Sequence, residues 1–315
     1  MSEGDPAEAV VLSGTGGIWV VRLATGEQHE AAMRGRLKQD GRDKLAVGDR
    51  VTVDRGASAE GADAWAITAI LPRTSKLARR APGGARGERI VAANVDQVIV
   101  VFAMAKPEPH VGMLDRFLVI AEGNDIAARI VINKVELADA AAVDTLVAPY
   151  EQAGYALHRT SVKANVGLES VRATLAGKTS AFTGPSGVGK SSLLNALYPG
   201  LQLRTGEISE SVNKGRHTTV GAVLIPLADE RGGYVVDTPG LREVGLWGLP
   251  PEHLDYCFPE FRPYLGNCKF QDCSHEHEPS CAVRSAVKSG NVSTARYESY
   301  LKLRSDLPDP GKHWE

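Results

Sequence analysis

Gly184-Pro185-Ser186-Gly187-Val188-Gly189-Lys190-Ser191 fits the pattern G-x-x-x-x-G-K-[ST] at every fixed position. Ser180-Ala181-Phe182-Thr183 before it reads as the end of a strand, and Ser192-Leu193-Leu194-Asn195-Ala196-Leu197 after it as the start of a helix. Strand, glycine-rich turn and helix in that order make a loop that wraps the phosphates of a nucleotide. Phosphate oxygens need closely spaced backbone N–H donors, and glycines let the backbone approach. The helix adds free N–H groups and the positive end of its dipole. In such a loop Lys190 reaches the outer phosphates and the Ser191 hydroxyl ligates Mg²⁺, while the backbone from Gly184 to Ser192 lines the phosphate path.

The surrounding sequence supplies an α/β frame. Val95–Ala103 and Arg129–Ile132 are apolar runs of the kind buried on both faces of a parallel sheet. Helices are expected over 114–122, 138–152 and 168–175, with a further strand near 156–161. Alternation of this kind predicts a parallel sheet with ligands at the carboxyl ends of its strands. Downstream, Tyr234-Val235-Val236-Asp237-Thr238-Pro239-Gly240 is a strand ending in D-x-x-G. After a phosphate loop this is the element whose Asp237 stands in the Mg²⁺ shell and whose Gly240 N–H meets a γ-phosphate.

With 315 residues, 43% hydrophobic and 23% charged, the chain has room for two or three domains and an ordinary globular core. Residues 1–8 are acidic and lack a signal-peptide pattern, and no apolar run reaches membrane-spanning length, so a cytoplasmic location is expected, with no membrane partner. A net charge of −2 gives no whole-chain argument for nucleic acid, but the charge is unevenly placed. Five short β-prone runs between Val10 and Ile70 predict an OB-type barrel over 1–75. Arg34, Arg36, Lys38, Arg42, Lys44 and Arg50 form a basic cluster in it, suited to a phosphate backbone or merely to solvent. Residues 76–92, basic and rich in Gly and Pro, read as a flexible linker that lies along RNA, followed by a nucleotide domain over 93–250.

All four cysteines fall in the last segment, 251–315. Cys268, Cys273, His275 and Cys281 offer three thiolates and an imidazole within one short loop, the donor set of a closed, structural Zn²⁺ site. His277 is the competing histidine, and Cys257 lies outside the cluster as a buried free thiol. The helices expected near 282–289 and 294–304 carry Arg284, Lys288, Arg296, Lys302 and Arg304, which are an RNA face or a solvated one.

Two further elements bring a resemblance. Asn133-Lys134-x-Glu136 looks like the guanine-reading N-K-x-D element, and Thr160-Ser161-Val162-Lys163 like the next base-contacting loop. In ordinary GTPases both follow the phosphate loop; here both precede it. That order resembles the circularly permuted GTPases. With a leading barrel and a trailing Cys/His cluster, nearly the whole chain resembles the ribosome small-subunit-dependent GTPase A family (RsgA, also called YjeQ). The resemblance implies an α/β fold with a permuted P-loop GTPase domain, an N-terminal OB-type barrel and a C-terminal zinc-binding helical domain. It implies GTP hydrolysis to GDP, with the small ribosomal subunit and its rRNA as partners in late assembly. Asn133, Lys134 and Glu136 would read guanine, helped by Ser161 and Val162. Glu136 departs from the family's Asp and shifts the carboxylate by more than a bond length.

The resemblance also makes Gly215-Arg216-His217-Thr218-Thr219 the first switch, with Thr219, or else Thr218, completing the Mg²⁺ shell. Leu241 stands where a water-orienting Gln is usual, which leaves His217 as the candidate to position the attacking water. Because the C-terminal domain follows Asp237–Gly240 directly, loss of the γ-phosphate is expected to move it as a lever. A monomer is expected. The rival readings are a metabolic P-loop ATPase or kinase and a non-hydrolytic RNA-binding scaffold; neither accounts for the phosphate loop, the guanine element and the flanking domains together.

Overall fold

A computed structural model describes residues 6–34, 45–57, 63–80, 88–203, 222–237 and 249–307. Five strands come first: β1 (Ala7–Thr15), β2 (Ile18–Leu23), β3 (Gln28–Met33), β4 (Arg50–Ala57) and β5 (Asp63–Ile70). They close into a barrel in the order β1-β2-β3-β5-β4, with β1 paired antiparallel to β4 and β3 parallel to β5. Its interior is Val11, Val21, Ala31, Val51, Val53 and Ile67, contributed by alternate positions of the strands as period-two patterning requires. The five-stranded barrel expected from the β-prone runs is present.

The basic cluster is partly committed to the barrel itself. Arg34 pairs with Asp54 at 3.3 Å and Arg50 with Glu8 at 2.9 Å; Arg36, Lys38, Arg42 and Lys44 lie outside the described residues. Arg73 makes two bonds, of 2.6 and 2.8 Å, to the fully buried carboxylate of Asp49.

The linker expectation needs correcting. β6 (Lys76–Arg80) and β7 (Glu88–Ala93) pair antiparallel, with Lys76 opposite Ala93, as a separate two-stranded ribbon. The charge and glycine content of this stretch mask its short apolar signal. Leu77, Ala78, Ala92 and Ala93 are all buried, and their burial offsets the ordering of the chain on either side.

The second sheet holds β8 (Gln97–Ala103), β9 (Ala127–Asn133), β10 (Ala156–Arg159), β11 (Thr179–Thr183), β12 (Val223–Pro226) and β13 (Tyr234–Asp237), ordered β10-β9-β8-β11-β13-β12. β9 is parallel to both β8 and β10, and β11 to β13, but β12 runs antiparallel to β13. The sheet is therefore mixed rather than parallel. Val223–Pro226 escaped the sequence reading because four residues ending in Pro give almost no periodicity, and an edge strand tolerates that Pro. Among the described residues the α-helices are α1 (Val111–Glu122), α2 (Ala140–Gln152), α3 (Leu168–Leu175), α4 (Lys190–Leu197), α5 (Ala282–Lys288) and α6 (Thr294–Asp306). None of them is long and apolar enough to cross a membrane.

Two compact units result. One holds the barrel, the ribbon, β11 as far as Phe182, β12 and β13. The other holds β8–β10, the helices α1 and α2, the phosphate loop and the C-terminal segment. Within the second unit Arg296 of α6 fastens that segment down. It lies 1% exposed, bonded to Asp115 of α1 and, at 2.7 Å, to Glu260, with its guanidinium 4.5 Å from the Phe258 ring centroid. Such a triad fixes geometry more than it stabilises, since removing the arginine strands two buried carboxylates.

Candidate nucleotide and metal sites

β11 ends at Thr183 and α4 begins at Lys190, so the six residues 184–189 form the turn, two residues shorter than the sequence reading placed it. The glycines have steric reasons. Gly184 has φ +135°, and a Cβ there would lie 2.0 Å from the Val101 carbonyl oxygen of β8. Gly189 caps α4 at φ +97°, and a Cβ there would lie 2.5 Å from Asn133 Nδ2. An L side chain at either place would push the loop off its neighbours. Lys190 is buried, its Nζ donating to the carbonyl oxygens of Gly184 (2.9 Å) and Pro185 (2.8 Å), so its ammonium is held inside the turn. Ser191 is also buried at the head of α4.

Of the base-reading candidates, Asn133 and Lys134 contact this loop. Asn133, at the end of β9, donates from Nδ2 to the Val188 carbonyl oxygen at 2.9 Å and accepts from the Thr160 hydroxyl at 3.2 Å. Lys134, in the left-handed region at φ +57°, donates from Nζ to the Gly187 carbonyl oxygen at 2.6 Å and to that of Lys106. Ser161 is fully buried, its hydroxyl accepting the Ala164 N–H at 2.9 Å and its backbone bridging to Val166; Val162 follows half-buried. Glu136 is exposed in a single helical turn, Val135–Leu137. Asp237 ends β13, with Val223 opposite. His217, Thr218, Thr219, Gly240 and Leu241 lie outside the described residues.

The four C-terminal candidates also converge. One ligand atom each from Cys268, Cys273, His275 and Cys281 falls within 4.8 Å of all the others. His275 Nδ1 is 3.3 Å from Cys281 Sγ and 3.6 Å from Cys268 Sγ, so Nδ1 is the donor turned inward. Burial opposes ionisation of Cys268, but the Ala282 N–H and the neighbouring thiols bring its pKa below the usual thiol value; burial pushes Cys273 up to about 12. A cation is what allows three thiolates to coexist here, and a Cys₃His set with no exposed carboxylate among its donors is chemistry suited to zinc. His277 is the discarded alternative, 86% exposed and paired with Glu276 instead.

The loop around these ligands is held by groups the sequence reading did not single out. Burial would raise the Glu278 pKa, but bonds from Ser274, from its own backbone N–H and from the His277 N–H hold it down at about 2. Tyr297 and Tyr300 donate their hydroxyls to the carbonyls of His275 (2.6 Å) and Ser274 (2.8 Å). Most telling is Asp255, whose Oδ2 lies 3.2 Å from His275 Nε2 and so fixes the proton on Nε2, leaving Nδ1 free for metal. No spacing rule marks a carboxylate 20 positions upstream. Asp255→Asn is expected to weaken metal binding roughly 10- to 100-fold without loss of fold, measured by chelator competition.

Comparison with known proteins settles the family. The RsgA GTPase family model matches residues 70–247. The chain is 60% identical over 300 residues to the small ribosomal subunit biogenesis GTPase RsgA of Gemmatimonas aurantiaca, covering 95% of this chain and 96% of that one. This chain belongs to the RsgA GTPase family. The RsgA of Serratia proteamaculans is 39% identical, with 96% and 86% covered. Among solved structures, YjeQ from Thermotoga maritima superposes with a TM-score of 0.75 at 35% identity, covering 98% of this chain and all of that one. YloQ, described as a circularly permuted GTPase, gives the same TM-score at 30% identity, with 98% of each chain covered. The permuted order thus comes with the barrel and the Cys₃His cluster that the family resemblance implied.

Cys257, the remaining cysteine, is 2% exposed. Burial first, then the nearby Glu122 carboxylate, push its thiol up to about 12. A raised pKa keeps the thiol protonated at neutral pH, so its thiolate fraction at pH 8 is roughly a thousandfold below that of an ordinary thiol. Native protein is expected to leave Cys257 unmodified by a thiol reagent at pH 8, and denatured protein to expose it; peptide mapping by mass spectrometry reads the difference.

Proposed function

We propose that this chain hydrolyses GTP to GDP and phosphate on the small ribosomal subunit, coupling hydrolysis to late assembly of that particle and to its own release. The observation that carries this is the contact of the base-reading pair with the phosphate loop, Asn133 to Val188 and Lys134 to Gly187, in a chain of RsgA descent. One bound nucleotide spans both elements, so guanine identity and phosphate position are read together.

In this account the backbone of Gly184–Ser192 and the Lys190 ammonium hold the phosphates. Asn133, Lys134 and Glu136 bind the guanine, with Ser161 and Val162 closing its edge. Glu136 stands exposed three positions after Asn133, and its longer side chain would have to fold back for the carboxylate to meet the guanine N1 and N2 donors. Ser191, Thr219 and Asp237 are the residues that would hold Mg²⁺, which neutralises charge on the phosphate oxygens when bound. His217 orients the water that attacks the γ-phosphorus as the bond to the β–γ bridging oxygen breaks. With Leu241 in place of the usual Gln, the intrinsic rate is slow and a partner raises it. One zinc ion, held by Cys268, Cys273, His275 and Cys281, orders the C-terminal segment. The barrel and that segment grip rRNA, and the protein works as a cytoplasmic monomer.

Differential affinity is what lets hydrolysis release the protein. Sedimentation with purified small subunits tests this directly. The chain is expected to pellet with the particle in a non-hydrolysable GTP analogue and to stay in the supernatant in GDP. Equal pelleting in both, or none in either, contradicts the reading.

A further inference from the structure

The strand that ends at Asp237 is held at its other end by the barrel. Arg22 of β2 donates a hydrogen bond to the Tyr234 hydroxyl at 3.2 Å, and its guanidinium carbon lies 5.9 Å from the Tyr234 ring centroid. The two residues are 212 positions apart in the chain. β1 packs against β12, and β12 in turn pairs with β13, Pro226 opposite Tyr234 and Val223 opposite Asp237. The Tyr234 end is pinned further by its own N–H, which donates to the Lys178 carbonyl oxygen at 2.9 Å.

Arg22 is placed to feel the state of the barrel. Its backbone pairs with Val10 of β1 on one side and Gln28 of β3 on the other. Arg34 and Arg50 pair with carboxylates on the barrel's own strands, whereas Arg22 turns to a phenol on another sheet. Both Arg22 and Tyr234 are half-buried, so the bond adds little to overall stability. Its value is geometric. A strand of four residues spans roughly 10 Å, and a rigid strand displaced at Tyr234 is displaced at Asp237.

We propose that Arg22 is a positioning residue that, through Tyr234, ties the seating of the barrel on RNA to the placement of Asp237 at the γ-phosphate end of the nucleotide. The inference rests on the proposed function, since it explains how the particle would raise the rate of hydrolysis. It differs from the lever expected of the C-terminal domain. The signal enters through the N-terminal barrel and reaches the switch strand from behind.

Tyr234→Phe removes only the hydroxyl, and Arg22→Met removes the charge while keeping an apolar stem. Each variant, and the pair combined, is assayed for basal GTP turnover, for turnover at saturating small subunits, and for particle affinity by sedimentation. Basal turnover and affinity are expected to stay at the wild-type level, while stimulated turnover falls by roughly 2- to 30-fold, the range of a coupling of this kind. The double variant is expected to fall no further than the more affected single one, because both remove the same bond. Undiminished stimulation in the single variants, or independent effects that multiply, overturns the inference. So does a loss of affinity that accounts for the lost stimulation, which would make Arg22 an RNA contact only. A wild-type chain that small subunits do not stimulate overturns the proposed function instead, and this inference with it.

Discussion

Replacing Lys190 with alanine lowers GTP turnover by roughly 10²- to 10³-fold, the usual effect of deleting a donor aimed at developing charge. The side chain is 5% exposed, with its ammonium bonded to the carbonyls of Gly184 and Pro185. In the proposed mechanism those carbonyls belong to the loop that wraps the phosphates, which puts the charge where phosphate oxygens would arrive. Binding exchanges neutral acceptors for anionic ones, and charge-assisted bonds are about twice as strong. Alanine removes that gain and also leaves two carbonyls to be rehydrated. Steady-state kinetics is expected to show the loss mainly in kcat, with a smaller rise in KM, while the melting temperature and zinc content stay near those of the wild type. A variant whose kcat stays within a few-fold of the wild type would remove Lys190 from the mechanism.

Stripping the metal has the second large effect. Zinc in a structural site of this type contributes on the order of 10–16 kcal/mol of apparent binding energy at neutral pH, and that energy is folding energy. A metal at this cluster would order a small core around the ligands: Phe258, Phe261 and Tyr300 are in mutual aromatic contact, and Leu303 is buried. Cys281→Ala removes a ligand and also the sulfur that accepts the Arg284 N–H at the start of α5. The expected result is one zinc per wild-type chain by elemental analysis, and loss of near-ultraviolet circular dichroism from the tyrosines on chelation or in the variant. The barrel keeps its own core and its own β signal. A chain purified without zinc that melts at the same temperature with and without chelator contradicts this account.

Much of the fold and site was legible because it is written in local spacing. The phosphate loop, the N-K-x-E element and the cysteine cluster are short runs whose covalent spacing forces their atoms together. Barrel strands and buried sheet strands announced themselves by period and by apolar runs. What stayed hidden depends on partners far apart in the chain. The Asp255–His275 bond, the Arg296–Asp115–Glu260 triad and the Arg22–Tyr234 bond join residues that no motif relates. The β6–β7 ribbon was missed for a different reason, since its basic residues mask the four buried apolar ones at its base. Val223–Pro226 is a strand chiefly because β13 lies beside it. Tertiary pairing, not propensity, decides such a segment.

The most direct test of the central claim is steady-state hydrolysis by the wild-type chain, with GTP and with ATP, in the absence and presence of purified small ribosomal subunits. The account predicts slow GTP turnover alone, strong stimulation by the particle, and little ATP turnover in either condition. Equal GTP rates with and without subunits, or ATP turnover matching that of GTP, would contradict it.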